Sequence, residues 1–180
     1  MSINDDLQKS KIDSGYIELF QIDLTAFGYG KIYLTNQLPA SGQQYIYFGG
    51  NQYLPFPITA SGYETKADGS QPRPVLKVSV VDPYVQSLVI SFGDLVGAKV
   101  TRLRTLEKYL DTGATPDASQ ILAPDVHYIE QKMSHTNTAI EFQLCSPLEK
   151  MNIKIPRRQI TRNGDPRYGR FPGAGRQRLR

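Results

Sequence analysis

Residues 75–81 read VLKVSVV, and this stretch decides the fold. Apolar residues alternate with Lys77 and Ser79, a period of two that is typical of a strand with one buried face. The preceding Pro72-Arg73-Pro74 segment favours an extended chain, because a proline restricts the residue before it to extended conformations. We expect the inward-facing residues to be Leu76, Val78 and Val80, and the outward-facing ones to be Lys77 and Ser79.

Similar strand signals recur along most of the chain. They combine alternation, or runs of β-branched and aromatic residues, with glycine, proline and asparagine turns. The turn Gly49-Gly50-Asn51 predicts one hairpin, and the polar residues 134–138 predict another. The further predicted strands are residues 16–24, 31–34, 44–48, 52–54, 99–106, 126–133 and 139–145.

One short helix is predicted over residues 83–92. Asp82 can cap it, Pro83 suits the first helical position, and apolar residues follow at helical spacing before Gly93. Many short strands with a single helix indicate an all-β fold, either an antiparallel sandwich or a barrel. In residues 99–106, neither face is cleanly apolar, so the sequence does not show which face joins the core.

The composition divides the chain into three parts. We expect a flexible leader over residues 1–15, a β-rich domain over residues 16–162 and a basic, disordered tail over residues 163–180. Residues 151–180 hold nine Lys or Arg and one Asp, a net charge of +8, which leaves −4 for the rest of a chain whose total is +4. The glycine, proline and arginine of the tail cannot bury enough apolar surface to offset the entropy cost of ordering.

Composition also excludes several classes of protein. The 39% hydrophobic and 21% charged residues are ordinary for a globular domain, and no apolar run approaches the roughly 20 residues that span a bilayer. Residues 1–14 are polar and lack the apolar region of a signal peptide, so we expect a cytoplasm-like compartment. Cys145 is the only cysteine, which rules out an internal disulfide or a multi-cysteine metal site in this chain.

Signals for catalysis are weak. Asp125, His127 and Ser134 are the residue types of a catalytic triad, but spacing alone does not show a base bonded to a nucleophile, and roles in strands and turns are favoured. His127 and His135 would need further metal ligands that the sequence does not place nearby. We therefore predict a non-enzyme with no catalytic, cofactor-binding or metal site. Two other sets of residues give no site either. Gly28 and Gly30 are interpreted as turn glycines, and the carboxylates are scattered along the chain: Glu18, Asp23, Glu107 and Asp111.

The basic tail has two interpretations. Its arginines could contact DNA phosphates while Tyr168 and Phe171 stack on bases, or it could be a solvated end outside the domain. Charge alone supplies only sequence-independent attraction, so the second interpretation is favoured. A nucleic-acid-binding module is the first alternative function, and a hydrolase is the second. The arginines concerned are Arg157, Arg158, Arg162, Arg167, Arg170, Arg176, Arg178 and Arg180.

A succession of motifs resembles the minor tail protein L family of lambda-like phages. The motifs follow the family's order between residues 16 and 163, and they are specific as a set rather than one by one. They are IDLT at 22–25, YFGGNQYLPFPI at 47–58, SGYE at 61–64, RPVLKVSV at 73–80, LVGAKVTRLRTLEKYLD at 95–111, IEFQLCSPLEK at 140–150 and IPRRQI at 155–160.

This resemblance implies a structural subunit of the phage tail tip, seated between the tube-capping minor tail protein and the central host-recognition protein. It implies a domain similar to the tube and hub modules that build rings in phage tails, and hence a ring-forming homo-oligomer. The expected location is the virion tail, with assembly in the host cytoplasm and with neither a membrane nor nucleic acid as a partner. Candidate contacts are exposed loops, above all the long polar residues 111–124.

The resemblance also bears on cofactors. The family's C-terminal part carries four cysteines that look like iron–sulfur ligands, and it begins shortly after the counterpart of residues 155–158. That part is missing here and Cys145 lies ahead of it, so we expect no iron–sulfur cluster. The abrupt change after Asn163 is what a shifted reading frame or a replaced end would give.

Overall fold

The computed structural model of the protein describes residues 3–8, 14–39, 43–64, 71–79, 87, 91, 93–136 and 138–150. Within them the chain is mostly strand, which confirms the all-β class. Two short helices flank the strands, α1 (Ile3–Leu7) and α2 (Pro147–Lys150). The strands are β1 (Tyr16–Asp23), β2 (Lys31–Thr35), β3 (Ile46–Phe48), β4 (Asn51–Pro55), β5 (Ile58–Ser61), β6 (Val75–Ser79), β7 (Lys99–Leu106), β8 (Asp125–His135) and β9 (Ala139–Cys145).

The described strands form one hydrogen-bonded sheet in the order β3-β4-β2-β1-β7-β8-β9-β6-β5. Its pairings are antiparallel except for one, because β2 and β4 run parallel with Leu34 beside Leu54. The sheet is therefore mixed, and the expectation of a purely antiparallel sheet is corrected at this pair. After β2 the chain reverses direction, so β3 runs antiparallel to β2. The β3–β4 hairpin reverses it again, and β4 lies between β3 and β2 in the sheet.

A short segment connects β4, near one edge of the sheet, to β5 at the other edge. Only Phe56 and Pro57 separate β4 from β5. The Phe56 N–H donates to the carbonyl of Thr35 at 2.8 Å, and the Ser79 N–H donates to the carbonyl of Pro57 at 2.9 Å. The segment therefore bonds to the end of β2 and to the end of β6, so a short stretch of chain connects strands that lie far apart in the sheet order.

Side chains of β1 are buried on both faces. Phe20 and Ile22 point into an interior core that seven of the nine described strands share, whereas Ile17 and Leu19 lie under the β3–β4 hairpin in a second core. Each fully buried aliphatic or aromatic side chain stabilises the fold by about 1.5–3 kcal/mol. The interior core comprises Phe20, Ile22, Leu24, Leu34, Phe56, Ile58, Leu76, Val78, Leu95, Ala98, Val100, Ile129, Ile140, Phe142 and Leu144.

The expected faces of β6 are confirmed where they are described. Leu76 and Val78 are buried, Lys77 is exposed and Ser79 is half-buried. Val80 lies outside the described residues, as does the predicted helix over residues 83–92 apart from two exposed serines. The basic tail lies outside them entirely.

Candidate functional site

The candidate catalytic residues are not assembled into a triad. Asp125, His127 and Ser134 all lie on β8, and Ser134 pairs with Glu141 near the far end of that strand. Nine residue steps of about 3.3 Å separate Asp125 from Ser134 by roughly 30 Å. A nucleophile and its base must be within hydrogen-bonding distance, so these residues cannot act together.

The histidines and the cysteine form no metal centre. His127 and His135 are roughly 26 Å apart along β8 and cannot share an ion. Within the part of the chain that the structure describes, no group of three or more His, Cys, Asp or Glu side chains could hold a metal. Cys145 is buried at the end of β9, and one thiol does not fit an iron–sulfur cluster, which cysteine-only sites hold with four thiolates.

The scattered carboxylates and glycines have separate local roles. The carboxylate of Asp23 accepts hydrogen bonds from the hydroxyl of Thr25 at 2.6 Å and from its backbone N–H at 3.0 Å. These bonds, the hydroxyl first, hold the pKa of Asp23 below its usual value. Glu107 begins a 3₁₀ turn after β7. Gly28, with φ of 77°, and Gly30 lie in the turn after β1, where such a φ favours glycine.

Four charged side chains meet at one end of the interior core. Arg102 pairs with Glu18, and the Oδ2 of Asp125 lies 3.6 Å from Arg102 Nη1 and 3.4 Å from Arg104 Nη2. The two arginines share a strand face with the buried Val100, because side chains two residues apart point the same way. Glu18, Arg102, Arg104 and Asp125 are called the interior ion cluster. Its two positive and two negative charges cancel.

Two rings extend the interior ion cluster. The Cζ of Arg102 lies 4.5 Å from the centroid of the Tyr63 ring, and the ring of His127 meets Tyr63 edge-on with centroids 5.2 Å apart. Burial raises the pKa of Tyr63 to about 12 and lowers the pKa of His127, so both are neutral at pH 7. Neither the neutral phenol of Tyr63 nor the neutral imidazole of His127 is an activated nucleophile.

A cavity of about 290 Å³ lies beside the interior core. Its lining is mainly aliphatic and aromatic, and Lys31 is the only titratable group besides two tyrosines among its described lining residues. Catalytic and small-molecule sites usually add several convergent polar groups to such a lining. The cavity therefore gives no support for an enzyme site.

Residues 111–124, the β7–β8 loop, present a continuous exposed surface. Every residue from 111 to 119 is exposed except Gly113. Farther along, Ile121 packs against the core under the β3–β4 hairpin, and Leu122 packs beside α1. The second half of the loop is therefore packed against the two smaller cores, whereas its first half is open to solvent.

Side-chain hydrogen bonds fix the shape of the β7–β8 loop. The carboxylate of Asp111 accepts from the N–H groups of Gly49 at 3.0 Å and Gly50 at 2.9 Å, which ties the loop to the β3–β4 turn. The carboxylate of Asp117 accepts from the hydroxyl and the N–H of Ser119 at 2.6 and 2.9 Å, and these bonds lower its pKa. An exposed polar loop that is already ordered is a suitable surface for a partner.

Backbone contacts close the loop onto the 3₁₀ turn before it. The N–H of Thr115 donates to the carbonyl of Lys108 at 2.9 Å, and the N–H of Asp117 donates to that of Tyr109 at 3.1 Å. At Gly113 a Cβ would lie 2.4 Å from the same Lys108 oxygen, so only glycine fits there without a shift.

Comparison with known proteins identifies the family. A model described as phage minor tail protein L matches residues 25–173. The chain belongs to this family. It is also 28% identical to tail tip protein L of Escherichia phage lambda over 155 residues, a match that covers 83% of this chain and 66% of that relative. The chain thus spans just under two thirds of the relative's length.

Membership of the phage minor tail protein L family confirms the resemblance and supports a structural role in a phage tail. The family match runs ten residues past Asn163, where the sequence motifs appeared to stop. Neither comparison supports a nucleic-acid partner or indicates a catalytic role. No helix in the described ranges is long and apolar enough to cross a membrane.

Proposed function

We propose that this member of the phage minor tail protein L family is a structural subunit of the tail tip. It takes part in assembly between the tube-capping minor tail protein and the central host-recognition protein. The family match supports this role, and the ordered, exposed β7–β8 loop is the observation that carries it. A preformed surface loses little conformational entropy when a partner binds it.

The first half of the β7–β8 loop is the proposed contact surface. Its two carboxylates, Asp111 and Asp117, are exposed and accept hydrogen bonds from groups of the loop and the adjoining turn, which hold them in place. The exposed side chains between and beside them are small: Thr112, Ala114, Pro116 and Ala118. Small side chains on an ordered backbone allow a partner to approach closely, so we propose recognition by shape more than by charge.

Bulky substitutions on this surface test the proposed contact. The double variant Thr112→Arg, Ala114→Arg adds two large cations to exposed positions whose side chains make none of the bracing bonds above. We expect tails purified from a complemented phage to contain about tenfold less of this chain, which corresponds to about 1.4 kcal/mol of lost interface free energy. Thermal unfolding should be nearly unchanged.

The matched control is Ser61→Arg, an exposed position on β5. It adds the same type of side chain away from the loop and should enter tails normally. If the loop variant folds and enters tails as well as the control does, the proposed contact surface is wrong.

We further propose that copies of the chain form a ring in the virion tail, after assembly in the host cytoplasm. The ring would be built from a domain similar to tube and hub modules, without a membrane or nucleic acid as a partner. This chain would bring no iron–sulfur cluster, because one cysteine cannot supply four thiolates. Native mass spectrometry of the complex with its tail-tip neighbours measures both copy number and bound iron. A single copy, or iron bound to this chain, would contradict the respective proposal.

A further inference from the structure

Helix α1 packs against the segment that follows β7. Ile3 is only 4% exposed and lies in an apolar cluster with Leu106 and Tyr109, against which Leu7 and Leu122 pack. This packing gives the short, mostly polar segment an apolar contact with the end of β7 and the turn after it. The position of α1 is therefore defined by specific contacts.

Asp6 adds a polar contact to this packing. Its side chain is 4% exposed, the hydroxyl of Tyr109 donates to its Oδ2, and the Nζ of Lys108 lies 2.5 Å from the same oxygen. The hydrogen bond to Asp6 raises the pKa of both Lys108 and Tyr109, so the lysine stays charged and the phenol stays protonated. A buried carboxylate without such partners is costly, so Asp6 fixes α1 against residues 108 and 109.

The residues that hold α1 also hold the β7–β8 loop. The carbonyls of Lys108 and Tyr109 accept the loop N–H groups described above. Near the far end of the loop, the N–H of Ile3 donates to Oε1 of Gln120 at 2.9 Å. Helix α1 is thus linked to the loop at two separate points.

From these contacts we propose that α1 is a strap that holds the β7–β8 loop in its partner-binding shape. This inference rests on the proposed function, in which the loop contacts a tail-tip partner. Without the strap, the turn that carries the two carbonyls loses its support and the loop opens more often. A loop that must become ordered during binding gives weaker association.

The test is Asp6→Ala in the full chain, with Asp5→Ala as the matched control that removes the same charge from an exposed position of α1. Hydrogen–deuterium exchange should be at least about tenfold faster in residues 111–119 of the Asp6 variant, while β9 keeps its protection. Its incorporation into tails should fall several-fold. The Asp5 variant should match the parent protein in both measurements.

Unchanged exchange in the loop of the Asp6→Ala variant would overturn the strap, and so would faster exchange combined with normal incorporation. If the Asp6→Ala variant also loses protection in β9, the Asp6→Asn variant replaces it, because asparagine keeps an acceptor oxygen for Tyr109. The strap is then judged by the same two measurements, exchange in the loop and incorporation into tails. The proposed loop contact fails separately, through normal incorporation of the Thr112→Arg, Ala114→Arg variant, whatever the strap does.

Discussion

Among single residues, His127 makes the interior ion cluster sensitive to pH. It faces Tyr63 and Asp125, and Arg102 lies against the same tyrosine ring. Burial lowers the pKa of His127 in the folded protein, so the unfolded chain binds the proton more tightly. Its stabilising contribution is complete above the unfolded value of about 6.5 and is lost as the pH falls below it. We expect the free energy of unfolding by denaturant to decrease from pH 7.5 to pH 5.5.

Substitution separates the pH dependence that is due to His127 from that of the rest of the protein. His127→Gln keeps a polar side chain that does not titrate, so the decrease between pH 7.5 and pH 5.5 should become smaller. His135→Gln is the control, because His135 is exposed on the same strand and its loss should leave the slope as in the parent protein. Equal slopes in all three proteins would show that His127 does not control the pH dependence.

At the level of elements, β6 and β7 show what the sequence could predict. The alternation in β6 has one apolar face, so the buried positions follow directly from the pattern. In β7, Arg102 and Arg104 lie on the face of the buried Val100, where Glu18 of β1 and Asp125 of β8 neutralise their charges. Those partners come from strands distant in sequence, and their register is invisible without the fold.

The β7–β8 loop could also be predicted only in part from the sequence. Its length and polarity identify it from the sequence, and the expectation of partner contact remains a prediction. Its ordered shape depends on Asp111 bonding to Gly49, 62 residues away, and on α1 packing against the turn before it. Such long-range contacts depend on tertiary structure, so local sequence patterns give no signal for them.

On the scale of the whole molecule, a shared core makes the strands depend on one another. Residues 51–61 bond to both β2 and β6, and the interior core draws side chains from seven of the nine described strands. Val78 is only 3% exposed in that core. Val78→Asp places an unpaired charge there at a cost of more than about 4 kcal/mol, a large part of the about 5–15 kcal/mol that stabilises a typical domain. We therefore expect amide protection to be lost in β1 as completely as in β6, because neither strand keeps its packing without the shared core.

The control is Lys77→Gln, one residue away, which removes only the exposed 3.0 Å ion pair with Glu141. Its free energy of unfolding should stay within about 0.5 kcal/mol of that of the parent protein. Protection that survived in β1 while β6 exchanged freely would show that the sheet does not unfold as one cooperative unit.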